Sequence, residues 1–195
     1  MIKRGALIVL ERCDRSGKPT QCQKVKHLWL QESNKEAHLM RFPDEIVCDQ
    51  PAISSYICYA KPKDGTATEL FTSARLLSIR PDIKKLLQKG TNVIVDRYSY
   101  SGIAFSAAKP NMDLRWCQQS DSGLLKPDLV IFLDIDPVEA ETRGQYGSER
   151  YENLEMQKVV RSNYLKLQDE SWRVMPLFRR YEFSESLQSL FWGLL

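Results

Sequence analysis

The sequence predicts an α/β fold in which a parallel sheet of about five strands is flanked by helices on both faces. Short, continuous apolar runs alternate along the chain with longer stretches of helical spacing, a pattern typical of strands that are connected by crossover helices. The most regular run, residues 129–133, contains only Leu, Val, Ile and Phe. The length of 195 residues suits one core, so we expect a single domain spanning residues 1–195.

Each element is predicted from its own local pattern. The apolar runs predict strands at residues 6–10, 38–42, 91–95, 129–133 and 172–175. Helical spacing predicts helices at residues 20–31, 68–88, 149–169 and 184–194, with further helices that begin near Ser99 and Pro137. Pro81 should kink or divide the helix at 68–88, because proline lacks an amide hydrogen. Gly90 is expected to cap the carboxyl end of that helix.

Composition and charge disfavour several classes of protein. The chain is 43% hydrophobic and 27% charged, with a net charge of +3, which is ordinary for a globular domain. Its 5 cysteines include no CxxC pair, which indicates reduced thiols and not a disulfide framework or zinc site. No apolar stretch approaches the ~18 residues of a membrane span, and no basic run with interleaved aromatics predicts nucleic-acid binding. We expect a location in the cytoplasm, with the nucleus as an alternative.

A candidate phosphate-binding loop follows the first predicted strand. Residues 11–20 lie between that strand and a predicted helix, the context that the P-loop pattern GxxxxGK[ST] requires. Gly17 and Lys18 fit, since glycine lets backbone amides approach phosphate and lysine neutralises the outer phosphates. Arg12 stands at the position of the first glycine, and Pro19 replaces the residue whose hydroxyl binds Mg²⁺. On this motif alone, a strand, turn and helix without a phosphate site is an equally good interpretation.

Several segments, taken in order, resemble thymidylate kinases of the eukaryotic and poxviral type. They are residues 4–11 with 14–18, Arg41-Phe42-Pro43, Asp96-Arg97-Tyr98 with Ser101-Gly102 and Ala104-Phe105, residues 126–133, and residues 143–153. The resemblance implies a P-loop NTPase-like fold with a lid segment within 143–153. It also implies that the chain transfers the γ-phosphate of ATP to dTMP with Mg²⁺, giving dTDP for dTTP synthesis, and that it forms a homodimer.

The resemblance further implies roles for individual residues. ATP would be bound by Asp14, Arg15, Ser16, Gly17, Lys18, Thr20 and Arg143. The acceptor dTMP would be bound by Asp14, Phe42, Phe71, Arg75, Arg97, Ser101, Gly102 and Tyr151. Arg15, Lys18, Asp96 and Arg97 would be catalytic, with Asp96 acting on Mg²⁺ or on its water. Taken one at a time these residues also fit structural roles, since Phe71 suits a helical core and Asp96 with Arg97 suits a salt-bridged strand end.

Three departures from the family pattern keep a second hypothesis open. Arg12 and Pro19 alter the donor loop, and Glu45 stands where the family carries an arginine that contacts the acceptor phosphate. A carboxylate at that position repels a dianionic phosphate. The two hypotheses are therefore an ATP:dTMP phosphotransferase with weakened activity, and a catalytically impaired pseudoenzyme of the same fold that binds a nucleotide or a protein partner.

Overall fold

The computed structural model describes residues 4–13, 23, 26–27, 37–42, 66–141 and 154–176, with the backbone alone at 66–75 and 141. These ranges contain strands β1 (Leu7–Arg12), β2 (Ala37–Arg41), β3 (Asn92–Asp96), β4 (Leu129–Asp134) and β5 (Trp172–Pro176). They also contain helices α1 (Thr66–Gln88), α2 (Ser99–Ser106), α3 (Leu114–Ser120), α4 (Pro137–Glu141) and α5 (Leu154–Lys166).

The strands form one sheet of 5 strands in the order β2-β3-β1-β4-β5, and every neighbouring pair is parallel. This confirms the predicted fold class. β1 occupies the centre, where its Leu10 lies opposite Asp96 of β3 and its Arg12 lies opposite Leu133 of β4. Because all strands run the same way, their carboxyl ends meet at one edge of the sheet, which is where ligands bind in open α/β sheets.

The central strands β1, β3 and β4 are buried on both faces of the sheet, and their alternate side chains point to opposite sides. The first face carries Leu7, Val9, Val93, Val95, Val130 and Phe132. These residues pack against apolar side chains of α1, α2, α3 and α5, among them Ile83, Ile103, Cys117 and Tyr164. The second face carries Ile8, Leu10, Ile94, Ile131 and Leu133, all fully buried. Burial on both faces explains why these strands appear in the sequence as continuous apolar runs and not as alternating patterns.

The helices differ from prediction in three places. Pro81 lies inside α1 without dividing it, since a proline removes a single intrahelical hydrogen bond and neighbouring turns retain theirs. α5 ends at Lys166, short of the predicted residue 169, because Asp169 accepts hydrogen bonds from the backbone and hydroxyl of Ser171 in a turn. α3 is an additional helix that the sequence pattern did not predict, and its N-cap Asp113 accepts a 2.8 Å hydrogen bond from the Trp116 amide.

Some predicted elements lie outside the described residues. They are the helix at 184–194, the lid at 143–147 with the segment after it, and most of the helix at 20–31, of which residues 23, 26 and 27 are described as helical. Gly90 follows α1 with a φ of 84° and donates to the Leu87 carbonyl at 3.0 Å, which confirms it as the helix cap. Over the ranges that the structure covers, no helix combines the length and apolarity needed to cross a membrane.

Gly5 marks a close approach of two backbones where the chain begins β1. Its amide donates to the Leu87 carbonyl at 2.8 Å. A Cβ added at Gly5 would lie 2.0 Å from the Thr91 carbonyl oxygen and 2.9 Å from the Asn92 nitrogen. These are backbone atoms of the turn and strand that follow α1, so they cannot move aside without disturbing the sheet.

We therefore expect Gly5→Ala to lower the free energy of unfolding by about 3 kcal/mol, because the added methyl group overlaps backbone atoms. Gly123→Ala is the matched control, since Gly123 has a φ of 94° and open space around its Cβ position. Backbone strain alone should cost that variant about 1 kcal/mol. Urea denaturation measures both values, and equal losses in the two variants would contradict the importance of the close approach.

Candidate active site

Charged side chains gather at the carboxyl edge of β1 and β3. The register places Leu10 opposite Asp96, so Arg12 lies two residues beyond the point where β3 ends. Arg12 Nη2 lies 3.1 Å from Asp96 Oδ1 and 3.3 Å from Oδ2. The side chains of Arg12 and Asp96 are only 7% and 3% exposed. A buried carboxylate needs a charged or hydrogen-bonding partner, and Arg12 supplies it here.

Asp96 is also near a second arginine and is tied to β2 through its backbone. Arg41 Nε lies 3.9 Å from Asp96 Oδ2, although the Arg41 side chain is half exposed. The backbone amide of Phe42 donates to the Asp96 carbonyl at 2.9 Å. Phe42 itself packs in the core of the first face. The end of β3 is thus held between the ends of β1 and β2.

Arg97 adopts a backbone conformation that is unusual for a residue other than glycine. Its φ is 66°, and its amide donates to the Leu10 carbonyl at 2.9 Å. This conformation costs free energy, and such residues cluster at functional sites. The guanidinium lies 5.8 Å from the ring centroid of Phe105 and 3.5 Å from the Ser101 hydroxyl. The Arg97 side chain is therefore directed from the end of β3 towards α2. Gly102 is the residue of α2 that follows Ser101.

Glu11 is a buried carboxylate that the sequence analysis did not identify as a site residue. Its Oε1 accepts hydrogen bonds from the amides of Tyr98 and Ser101 at 2.9 and 3.2 Å, and its Oε2 accepts from the Ser101 hydroxyl at 2.5 Å. Tyr98 is the N-cap of α2 and makes no side-chain cap of its own, so Glu11 takes that role from β1. A charged residue directly after a fully buried apolar run was the signal available in the sequence.

Burial raises the pKa of Glu11 from its ordinary value of 4.5 to about 7, although the hydrogen bonds from Ser101 and Tyr98 and the charge of Arg97 oppose the shift. The hydroxyl of Tyr164 on α5 lies 2.9 Å from the Ser101 hydroxyl and donates to Glu11 Oε2 and the Arg12 carbonyl, each at 3.3 Å. Burial and the nearby Glu11 raise the pKa of Tyr164 well above its ordinary value. One polar cluster therefore joins β1, α2 and α5.

A second ion pair lies at the end of β4. Arg161 of α5 donates to both carboxylate oxygens of Asp134, through Nε and Nη2, each at 2.7 Å. This paired geometry is the strong form of the arginine–carboxylate interaction. It raises the pKa of Arg161 and fixes α5 against the same edge of the sheet that carries Arg12 and Asp96.

The structure brings together only part of the predicted site. Phe42, Asp96, Arg97, Ser101 and Gly102 lie at or beside the edge of β3. Phe71 and Arg75 lie four residues apart on α1, a spacing that places them on the same face of the helix, and only their backbone is described. The remaining predicted residues lie outside the described ranges: Asp14, Arg15, Ser16, Gly17, Lys18, Thr20, Arg143 and Tyr151.

The predicted metal role of Asp96 does not fit its surroundings. Its carboxylate is 3% exposed and is held by the guanidinium of Arg12, which a divalent cation would have to displace. Mg²⁺ usually retains several waters in proteins, and these need space around the carboxylate. Among the residues that the structure describes, no group of 3 or more His, Cys, Asp or Glu side chains could hold a metal. Besides Asp96, the described edge carries the guanidinium groups of Arg12, Arg41 and Arg97.

The parallel sheet, with a candidate phosphate loop after its central strand and an Asp-Arg pair after the neighbouring strand, defines an α/β protein of the P-loop kinase class. A family model described as thymidylate kinase matches residues 10–183. The chain belongs to the thymidylate kinase family.

Individual relatives agree with this assignment. The chain is 44% identical to the thymidylate kinase of Danio rerio, over 92% of this chain and 86% of that protein. It is 46% identical to the enzyme of Schizosaccharomyces pombe, over 96% and 88% of the two chains. The solved structure of Candida albicans thymidylate kinase superposes with a TM-score of 0.77 at 30% identity, covering 98% of this chain and 91% of that chain.

The ionisation of Glu11 should make the stability of this protein depend on pH near neutrality. The folded state holds the Glu11 proton up to about pH 7, whereas the unfolded chain releases it near pH 4.5. The folded state therefore binds more protons between these values, and its stability falls as the pH rises through this window. The expected loss from this group is on the order of 3 kcal/mol.

Glu11→Gln removes this ionisation while its amide oxygen can still accept from the backbone of α2. The free energy of unfolding of E11Q, relative to the parent, should rise between pH 5 and pH 7.5, as measured by urea denaturation at each pH. Glu155→Gln on the exposed surface of α5 is the matched control, and should follow the parent over this window. Parallel curves for E11Q and the parent would contradict the raised pKa.

Proposed function

We propose that this chain transfers the γ-phosphate of ATP to dTMP and releases dTDP and ADP. Membership of the thymidylate kinase family supports this function. The main structural support for this function is the position of Arg97. This residue directly follows β3, the neighbour of β1, and its φ is 66°. A cation fixed in this way can bind a phosphate without reorganising when the substrate arrives.

Phosphoryl transfer needs little covalent chemistry from the protein, because its transition state mainly requires alignment and neutralisation of charge. Arg97 would bind the acceptor phosphate, and its contact with Ser101 would keep the guanidinium directed along α2. Glu11 would act on the substrate only indirectly, by fixing the start of α2 on which Ser101 lies. The donor would be bound by the loop that follows β1, in which the resemblance assigns Arg15 and Lys18 to the transferring phosphates.

Mg²⁺ would enter this reaction as part of the ATP complex. The buried pair of Arg12 and Asp96 makes direct binding of the metal to Asp96 unfavourable in this chain. When bound with ATP, the metal neutralises charge on the outer phosphates. The residues of this chain would position the nucleotide and the acceptor around it.

Release of ADP, coupled to a spectroscopic assay, tests the proposed activity directly. The protein is supplied with ATP and Mg²⁺ together with dTMP, dUMP, dGMP or no acceptor. Turnover that depends on dTMP supports the proposal and measures acceptor selectivity. Absence of turnover from protein that circular dichroism shows to be folded would overturn it and favour the pseudoenzyme, an alternative to which the comparisons give no support over phosphoryl transfer.

Replacing Arg97 by methionine should lower kcat/KM for dTMP by about 100-fold, because a preorganised charge contact to the phosphate is lost while the length of the side chain is retained. Arg115→Met on the exposed surface of α3 is the matched control for loss of one positive charge, and should keep the kcat/KM of the parent. Steady-state kinetics with dTMP as the varied substrate measure both. R97M with the kcat/KM of the parent would contradict the role of Arg97.

Two further properties are proposed on the family resemblance. A homodimer is expected, and size-exclusion chromatography with light scattering would distinguish it from a monomer of 22.6 kDa. A cytoplasmic location, with the nucleus as the alternative, is tested by imaging a tagged full-length chain in cells.

A further inference from the structure

We infer that Arg12 acts as a built-in cation for Asp96, so that this carboxylate binds no divalent metal in the parent protein and becomes a metal ligand when the guanidinium is removed. The inference rests on the proposed function only for the identity of the physiological metal, Mg²⁺. The ion pair on which it is based is a feature of the described sheet edge and does not depend on phosphoryl transfer.

The contact geometry is the first support. A single nitrogen of Arg12, Nη2, approaches both oxygens of Asp96, at 3.1 and 3.3 Å. Both side chains are almost completely buried, so the pair is little screened by solvent. A dication that approached either oxygen would meet a fixed positive charge already in contact with the carboxylate.

The positive charges around Asp96 also support the inference that it binds no divalent metal. Besides Arg12, Arg41 lies 3.9 Å from Oδ2, so two guanidinium groups approach one carboxylate. The Arg41 side chain is 49% exposed and therefore contributes a weaker, more screened attraction. Asp96 therefore has two positively charged neighbours within the described part of the chain, which weakens the electrostatic attraction that would recruit a metal.

The register of the strands explains why an arginine at position 12 has this effect. Leu10 pairs with Asp96, and Arg12 lies two residues further along β1. A glycine at position 12 would have no side chain to reach back to Asp96. The long arginine side chain spans this distance, so one substitution in the phosphate loop changes the state of a carboxylate on the neighbouring strand.

The bonding at Oδ1 suggests what removal of Arg12 would expose. Within the described part of the chain, Asp96 Oδ1 accepts no hydrogen bond of good geometry, although it lies 3.1 Å from Arg12 Nη2. An anionic oxygen with lone pairs unused by hydrogen bonds is a ligand that hard cations such as Mg²⁺ and Mn²⁺ prefer. Once the guanidinium is replaced by an uncharged side chain, Asp96 would need a new positive partner, and a divalent metal could supply it.

Mn²⁺ binding measured by electron paramagnetic resonance, without nucleotide, tests this inference. The parent, Arg12→Ala, Arg12→Ala with Asp96→Asn, and Arg41→Met are titrated with Mn²⁺, and circular dichroism confirms that each is folded. R12A removes the guanidinium and leaves space beside Asp96 for a metal and its waters, so it is expected to bind one Mn²⁺ about tenfold or more tightly than the parent. The double variant should lose this gain, and R41M, which keeps the buried pair, should resemble the parent.

Two results would overturn the inference. A Mn²⁺ site in the parent that disappears in D96N would show that Asp96 already binds metal beside Arg12. An R12A variant that binds Mn²⁺ no better than the parent would show that Arg12 has only a structural role. If R12A does not fold, Arg12→Ser, which is also small and uncharged, replaces it with the same expected gain. None of these measurements requires turnover, so their failure is distinguishable from absence of dTMP-dependent ADP release.

Discussion

The central position of β1 is the constraint on which the rest of the described structure depends. Its parallel pairing with β3 and β4 buries Leu7 to Leu10 on both faces and sets the register that brings Arg12 to Asp96. The same strand then delivers Glu11 to the start of α2. A shift of one residue would move Glu11 and Arg12 each to the other face of the sheet, so the packing of the core and the chemistry of the edge are set together.

Two buried carboxylates at this edge are stabilised in different ways, and the difference explains their different roles. Glu11 receives hydrogen bonds from neutral donors, and burial raises its pKa to about 7. Asp96 is instead paired with the guanidinium of Arg12. Neutral donors suit a residue that connects elements, because the connection holds whether the carboxyl group is charged or not. The guanidinium partner ties Asp96 at the end of β3 to Arg12 at the end of β1.

The strands and the order of elements could be predicted from the sequence because burial on both faces produces short, continuous apolar runs, which are recognised by their length and by the residues that flank them. Pro81 does not divide α1, because a long helix tolerates the loss of one hydrogen bond. The predicted end of α5, at residue 169, was wrong because the turn at Asp169 uses side-chain hydrogen bonds that apolar spacing does not show. The role of Glu11 depends on contacts with Ser101 and Tyr164, 90 and 153 residues away in sequence, which no local pattern contains.

Arg12 departs from the P-loop pattern, and its contact with Asp96 shows what its side chain does in the fold. In the sequence, Arg12 occupies the position of the first glycine of the P-loop pattern. This predicts that the backbone at residue 12 cannot approach a phosphate closely. In the fold its side chain is buried against Asp96, away from solvent, and it brings a positive charge to the edge where phosphates are expected. Arg12 therefore places a covalently fixed guanidinium beside Asp96. A fixed charge needs no metal to be present and loses no translational freedom on binding, but it cannot move with a phosphate during transfer as a metal bound to ATP can.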